Sequence, residues 1–434
     1  MASRGDVVER QPRRRSGAGR RGQQRPPLRR PSPDPLRRVH VAQLVAVELA
    51  VVAVLVATAA ERWVGLVLLV PALAVVALAV VRVRRRWLFE VLAASTALRR
   101  RTRRSSPTPR DTRLAPLGTL LAPFEAQELL DRSGARVGLV FDGSGWTSVL
   151  RLDPPGVLAE PGPELPWELL AGVLDDEEQR VRTVQVVSAT VPAPAARFAV
   201  AEDPAAFSYA ELLAAAGGDL PAHRSTWVAL RLDPSACPGA VARRGGGAEG
   251  AQRALLGATA QLVARLQAAG LVPVLLDAPA AVAAVLEAAG VETAVRDPGA
   301  PAGEGPADAD PGLLRPEPPR EGWSAVEAGG LSSVSWAVAR WTRRSASPLA
   351  GLALPRAALV CSSVAVERDR ARTLRVQAHL RVTSPAARVV GACEELEAAA
   401  AALGVRLVRL DGAHGPGLLA TLPLARGPRP GRAA

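Results

Sequence analysis

The sequence predicts an α/β or α+β domain with a mixed sheet, anchored by a two-helix transmembrane hairpin near the N-terminus. Three observations support this prediction: two long apolar runs, arginine on the outer flanks of both runs, and alternating strand and helix patterns beyond them. Hydrophobic residues make up 48% of the 434 residues, enough for a sizeable core. Aromatic residues make up only 3%, so Ala, Val and Leu must supply most of that core.

The two apolar runs predict the hairpin. Residues 41–60 contain one charge, Glu48, and residues 64–81 contain none. At a rise of about 1.5 Å per residue, each run can cross a hydrocarbon layer of about 30 Å. Only three residues, 61–63, join the runs, so the two helices would be antiparallel neighbours. A cleaved signal peptide is disfavoured because the first run is long and a second follows at once.

The basic flanks predict the topology of this hairpin. The flanking arginines are Arg37 and Arg38 before the first run, and Arg82, Arg84, Arg85 and Arg86 after the second. By the positive-inside rule, both termini and the large domain would be cytoplasmic at the inner cell membrane. Glu48 would lie roughly 10 Å into the first span, where an acid is costly unless paired or protonated. Two interpretations of Glu48 stay open: it contacts a partner helix or a packed polar site, or it stays protonated or extends to the inner headgroups.

The positive charge is concentrated next to the apolar runs. Residues 1–40 contain 12 Arg and 3 acids, and residues 82–113 contain 11 Arg and 2 acids. Residues 114–434 contain 30 Arg and 34 acids, so the large domain is mildly acidic. A nucleic-acid-binding protein is expected to place its basic patch on the folded domain. The charge pattern therefore argues against that class and predicts contact of the basic segments with membrane lipids.

Composition divides the chain into six parts. They are a disordered Arg-rich tail (1–39), the hairpin (40–81), a basic juxtamembrane stalk (82–113), the first half of the domain (114–296), a flexible linker or loop (297–320), and the second half (321–434). Both halves show strands, then a long helix, then a strand. This order raises the hypothesis of an internal duplication, although the sequence identity is too weak to establish it.

Chemical motifs are weak in this sequence. The three cysteines, Cys237, Cys361 and Cys393, are far apart, which disfavours a disulfide framework or a metal site. Gly245–Gly250 fits G-x-G-x-x-G, but its preceding strand ends too early for a dinucleotide site. Asp308 and Asp310 form a D-x-D inside the predicted linker. The sequence thus predicts no catalytic residue, cofactor, metal or small-molecule substrate; the alternative left open is a membrane-anchored glycosyltransferase-like or nucleotide-binding enzyme.

Several segments taken in order resemble one known family. They are Val137–Gly143, Trp227–Pro234, Arg244–Gly247 with the long helix after it, Trp336–Trp341 and Gly417–Leu424. In this arrangement the chain resembles EccE, a membrane component of the actinobacterial type VII (ESX) secretion system. The linker at 297–320 departs from the family pattern.

The resemblance implies a structural role. The chain would be a non-catalytic subunit at the periphery of an inner-membrane complex, together with EccB-, EccC- and EccD-like subunits. Its cytoplasmic domain would pack beside the EccC ATPase and EccD. The ATPase, and not this chain, would drive protein export.

Overall fold

The computed structural model describes most of the chain beyond residue 80. The described ranges are 81–83, 86–103, 111–118, 120, 124–131, 133–153, 167–174, 181–191, 222–291, 319–340, 354, 357–368 and 374–426, with scattered residues between 48 and 77. The predicted disordered tail and residues 297–318 of the predicted linker lie outside the described residues.

The described elements alternate strands and helices in both halves. The first part contains β1 (Arg82–Val83), β2 (Arg86–Trp87), α1 (Leu88–Arg103), a 3₁₀ helix (Thr112–Leu117), β3 (Glu125–Leu130), β4 (Arg136–Phe141), β5 (Trp146–Asp153), α2 (Trp167–Leu174), β6 (Thr183–Val191), β7 (His223–Leu232), α3 (Pro238–Ala242), α4 (Gly247–Ala268), β8 (Val272–Leu275) and α5 (Ala278–Ala289). The second part contains β9 (Arg320–Glu321), β10 (Val326–Ala328), β11 (Leu331–Arg340), β12 (Leu359–Arg368), β13 (Leu374–Pro385), α6 (Val389–Ala402), β14 (Arg406–Arg409) and α7 (His414–Ala420).

Twelve of the described strands form one sheet, and it is antiparallel. The order is β3-β4-β5-β7-β6-β12-β13-β11-β10-β9, with β8 added on β5 and β14 on β11. The predicted mixed sheet is therefore wrong. Helix α4 does connect two strands of the same direction, β7 and β8, but β5 lies between them and pairs antiparallel with both. The sequence pattern identified strands and helices, and it did not identify which strands become neighbours.

The transmembrane hairpin in the predicted fold class is also corrected. Over the residues that the structure describes, no helix combines the length and the apolar character needed to cross a bilayer. Most residues of the two predicted spans, 41–60 and 64–81, lie outside the described residues. The prediction rested on the apolar composition of the two runs and on their arginine flanks, and neither by itself establishes a helix of the roughly 20 residues that a span requires.

The sheet has an approximate two-fold symmetry about the pairing of β6 with β12. These strands are antiparallel, with Thr183 opposite Glu367 and Thr190 opposite Val360. Outward from this pair, β7 and β5 follow on one side, and β13 and β11 follow on the other. An antiparallel pair has a local two-fold axis normal to the sheet. The second half therefore repeats the strand arrangement of the first about that axis.

Backbone details repeat in the two halves as well. The long helices α4 and α6 are each followed by a glycine with positive φ, Gly270 (φ +80°) and Gly404 (φ +69°). The strand after each helix ends in an equivalent hydrogen bond: Leu276 N–H to the Val149 carbonyl (3.3 Å) and Leu410 N–H to the Ser335 carbonyl (2.9 Å). An aspartate follows each of these leucines. The repetition supports the hypothesis of an internal duplication.

Helices cover both faces of the sheet. On one face α2 and α4 pack on the first half, around Leu170, Leu255 and Leu262, and α6 packs on the second half around Leu396. On the other face α5, the 3₁₀ helix and the segment after α7 form one shared core. Gly138 allows α5 to start close to β4, because a Cβ there would lie 2.5 Å from the Asp277 carbonyl carbon. The alternating side chains of each strand thus supply two cores.

We expect acid to destabilise this fold through His379, which is buried on β13 between β11 and β12. Burial lowers the pKa of His379 to about 4, whereas an exposed histidine titrates near about 6.5. The unfolded chain therefore binds a proton that the folded chain does not bind between these two pH values. The contribution of His379 to the free energy of unfolding is therefore fully present above this pH window. It falls by roughly 3 kcal/mol as the pH drops through the window. Denaturant unfolding at stepped pH should show this loss in the parent chain and a smaller loss in His379→Leu; equal losses would contradict the assignment.

Candidate functional site

The fold brings polar side chains together in two places. One is the seam between the two halves, on the face of the sheet that carries α5 and α7. The other is the contact between α1 and the second half. Both lie on elements that connect separate parts of the chain. Both are therefore candidates for a structural role, in which side chains fix one part of the chain on another.

At the seam, the end of α5 reaches from the first half onto the second. Arg381 on β13 is fully buried there, and its guanidinium donates to the Ala288 and Ala289 carbonyls at the end of α5. It also donates to the hydroxyls of Thr383 (3.0 Å) and Thr421 (2.9 Å). These partners are neutral, and the positive charge is favoured because a helix C-terminus carries partial negative charge. Arg381 therefore fixes the end of α5 on the second half.

The reciprocal arm runs from α7 back onto the first half. Gln185 on β6 donates to the Ala420 carbonyl (2.8 Å) and accepts from the Ala425 N–H (2.6 Å). Further along, Thr147 on β5 donates to the Leu424 carbonyl (3.0 Å). We call residues 418–426 the C-terminal strap. The strap and the end of α5 thus cross the seam in opposite directions.

A buried ion pair holds the far end of the strap region. Arg231 on β7 forms a bidentate ion pair with Asp142, which follows the end of β4, with N–O distances of 2.7 and 3.0 Å. Arg426 of the strap lies 3.6 Å from the same carboxylate. Burial would raise the pKa of Asp142, but the hydrogen bonds and charge of Arg231 and the charge of Arg426 outweigh it and lower that pKa. The carboxylate stays ionised and serves as an anchor for both arginines.

Cys361 belongs to the same seam. Its thiol donates to the Ala288 carbonyl (3.3 Å), and Arg381 donates to its sulfur (3.2 Å). Burial raises the pKa of the Cys361 thiol, although the Arg381 guanidinium acts in the opposite direction. A buried protonated thiol is unreactive. The polar groups of the seam therefore bind one another and backbone carbonyls, and they hold the two halves together.

The second place is the contact of α1 with the domain. Arg101, in the last turn of α1, forms a bidentate ion pair with Glu321 on β9, with N–O distances of 2.8 and 2.9 Å. It also donates to the Gly412 carbonyl (2.7 Å). The Glu321 side chain is 4% exposed and accepts a further bond from the Gly415 N–H (2.9 Å). A bidentate arginine–carboxylate pair fixes orientation as well as distance. This contact therefore sets the direction of α1 relative to the second half.

The loop that receives Arg101 is itself tightly packed. Gly412 has φ +74° and lies under the Trp323 ring, where a Cβ would come within 2.6 Å of the ring. His414 next to it is fully buried, and its Nδ1 accepts from the Ser335 N–H (3.1 Å). Its Nε2 faces Asp411 at 3.5 Å. Glycine is required at position 412 because both the backbone angle and the space exclude a side chain.

Three of the seven predicted site residues, Glu48, Arg82 and Arg86, are among the residues that the structure describes. Glu48 is described as an exposed helical residue, and no described contact tests its predicted role. Arg82 and Arg86 lie in the short strands β1 and β2, which pair with each other. The other predicted flanking residues, Arg37, Arg38, Arg84 and Arg85, lie outside the described residues. Their predicted role in topology stays untested.

The glycine-rich segment before α4 is occupied by arginine side chains. Arg244 donates to the Arg253 carbonyl (2.7 Å), and Arg253 donates to the Arg244 carbonyl (3.2 Å) and to Glu249 (2.9 Å). An open groove of about 420 Å³ lies nearby, lined by Phe141, Trp146, Pro234, Val241, Glu125, Gln127, Gly247 and Ala248. Asp308 and Asp310 lie outside the described residues. Across the described residues, no cluster of three or more His, Cys, Asp or Glu side chains has the geometry of a metal site.

Sequence reasoning missed Arg101, Glu321, Arg381 and Gln185. Arg101 was one arginine among many in a basic segment, and its partner is 220 residues away. Arg381 does carry a signal, because it is a charged residue within an alternating, apolar strand. If such a residue is buried, it must be paired or must bind backbone carbonyls.

We expect Arg381→Leu to destabilise the chain by about 3 kcal/mol or more. The substitution leaves the α5 carbonyls buried without a donor, and each such group costs roughly 1–3 kcal/mol. Arg340→Leu, at an exposed position of the adjoining strand β11, is the matched control and should change stability by less than about 1 kcal/mol. Chemical denaturation of the full chain measures both; similar values for the two variants would contradict the role of Arg381.

We expect Glu321→Gln to release α1 while leaving the sheet intact. The amide keeps the shape of the carboxylate but gives up the charge-assisted pair with Arg101. Trypsin cleavage after Arg99 and Arg100, followed by mass spectrometry, should become several-fold faster. Glu249→Gln, which removes the exposed Glu249–Arg253 pair of α4, is the control and should not change that rate. Unchanged cleavage in Glu321→Gln would show that this pair does not hold the stalk.

Comparison with known proteins relates part of this fold to one family. No curated protein matches the chain. Residues 220–338, which run from β7 through α4 and α5 to β11, match the family described as "Putative type VII ESX secretion system translocon, EccE". This match relates residues 220–338 to a component of the type VII secretion system. The resemblance to EccE predicted from the sequence is confirmed over residues 220–338.

Proposed function

We propose that this chain is a non-catalytic structural subunit of an actinobacterial type VII secretion complex at the inner membrane. The observation that carries the proposal is the EccE match over residues 220–338. Its partners would be EccB-, EccC- and EccD-like subunits, and its domain would pack beside the ATPase. Export would then depend on the chain for assembly and not for chemistry.

The arrangement of polar residues supports a structural role. The seam uses Arg381, Gln185 and Asp142 to hold two arms of the chain, and Arg101 with Glu321 holds the stalk helix. Arg101 is partly exposed and the other groups are buried, and all of them bind one another or backbone groups. A single sheet through both halves gives partners a rigid surface, because its strands are joined by hydrogen bonds across the full width.

The alternative of a membrane-anchored enzyme finds limited support in the described residues, because Gly247 and Ala248 line an open groove. It required the Gly245–Gly250 segment or Asp308 and Asp310 to line a pocket. Arg244 and Arg253 bind each other's backbone carbonyls around the glycine-rich segment. Among the residues that line that groove, Glu125 is the one charged side chain and most of the others are apolar, which does not favour binding of a phosphate.

Purification of the tagged full chain from its native host in mild detergent tests the proposal. We expect EccB-, EccC- and EccD-like subunits to copurify, as identified by mass spectrometry, because a scaffold subunit stays bound to its neighbours. A tagged membrane protein of unrelated function serves as the control bait. Recovery of the chain alone, at detergent concentrations that keep the other subunits assembled, would contradict the proposal.

Asp308→Ala/Asp310→Ala provides a matched test of the enzyme alternative. The scaffold proposal expects this double variant to recover the same subunits and to support the same level of secretion. Loss of secretion with the complex still assembled would instead favour a metal-dependent activity at these positions.

A further inference from the structure

Helix α1 carries its arginines on two different sides. Arg101 faces the domain and is paired with Glu321. Arg99, Arg100 and Arg103 are exposed. At about 100° per residue, the mean direction of these three lies roughly 150° from Arg101. The ion pair of Arg101 therefore determines which way the other three arginines point, and it directs them away from the sheet.

The same exposed side of α1 also carries an apolar residue. Leu92 is 47% exposed a little under two turns before Arg99, on the same side of the helix as Arg99 and Arg103. Ala93 and Thr96 between these positions are exposed as well. We call the side formed by Leu92, Thr96, Arg99, Arg100 and Arg103 the basic face of α1. It combines a cluster of guanidinium groups with exposed aliphatic surface.

Charge decides what kind of partner this face fits. Residues 114–434 contain 30 Arg and 34 acids, so the basic face of α1 is a local concentration of positive charge next to a mildly acidic segment of the chain. Nucleic-acid-binding domains need a continuous basic surface along the phosphate backbone. An anionic membrane surface needs only local basic residues, and it also gains from inserted apolar side chains.

We propose that the basic face of α1 binds the headgroups of anionic phospholipids. Guanidinium groups bind phosphate oxygens in a bidentate geometry, and Leu92 enters the boundary between headgroups and acyl chains. Three arginines at the strength usual for such surfaces correspond to about a hundredfold preference for anionic over neutral lipid. This inference names a lipid class and a binding surface, and it does not rest on the proposed scaffold role.

A polarity-sensitive fluorophore at Leu92→Cys in the full chain tests the proposal locally. The native cysteines, Cys237, Cys361 and Cys393, are all buried, so labelling should be selective. The labelled chain, in neutral detergent, is titrated with bicelles that contain phosphatidylglycerol or only phosphatidylcholine. We expect a blue shift of emission with phosphatidylglycerol at about a hundredfold lower lipid concentration, and we expect added salt to weaken it. A local probe reports on α1 even if other segments of the chain contact lipid.

Two triple variants make the test specific. Arg99→Gln/Arg100→Gln/Arg103→Gln should abolish the preference for phosphatidylglycerol. Arg340→Gln/Arg375→Gln/Arg388→Gln removes three exposed arginines elsewhere and should retain it. Equal responses to both lipids in the parent chain, or an unchanged preference in the first variant, would overturn the proposal. A short DNA or RNA duplex that displaces the anionic lipid at lower concentration would overturn it in favour of a nucleic-acid surface.

Discussion

The pairing of β6 with β12 is the interaction on which the described fold depends. It is the one backbone ladder between described strands that joins the two halves, and it lies on the approximate two-fold axis. The end of α5 and the C-terminal strap then cross this axis in opposite directions, fixed by Arg381 and Gln185. Neither half encloses its own core on that face, because the shared core contains residues of both. The two halves are therefore structural repeats that act as one unit.

This architecture explains how a chain poor in aromatic residues builds a large rigid surface. Two fully buried tryptophans, Trp227 and Trp336, lie on β7 and β11 on opposite sides of the axis, and small aliphatic residues fill most of the remaining core. Small side chains bring helices close to the sheet but bury less area each. The buried polar bonds of the seam contribute specificity, since they accept only one placement of the crossing arms. The stalk helix is then fixed by one ion pair at the edge of the second half.

Many of the individual strands and helices could be predicted from the local pattern of the sequence. The β4–β5 hairpin around Asp142–Gly145, the long helix ending before Gly270, and the alternating strand β13 were all predicted from periodicity and turn residues. The antiparallel arrangement was missed because pairing depends on contacts distant in sequence, such as β6 with β12. The contact sites were missed for the same reason: Arg101 and Glu321, or Gln185 and Ala420, are meaningful only once the chain has folded. The predicted hairpin came from two apolar runs and their arginine flanks, and the described residues contain no helix that satisfies it.

Native-state hydrogen exchange with increasing denaturant tests the central claim most directly. If the β6–β12 pairing and the crossed arms make the two halves one unit, amides of β7 and of β13 must open together, at the same free energy and with the same denaturant dependence. Mass spectrometry of peptides covering 223–232 and 374–385 would report each half separately. Exchange of one peptide set at a clearly lower free energy than the other would show that the halves unfold independently and would contradict the account.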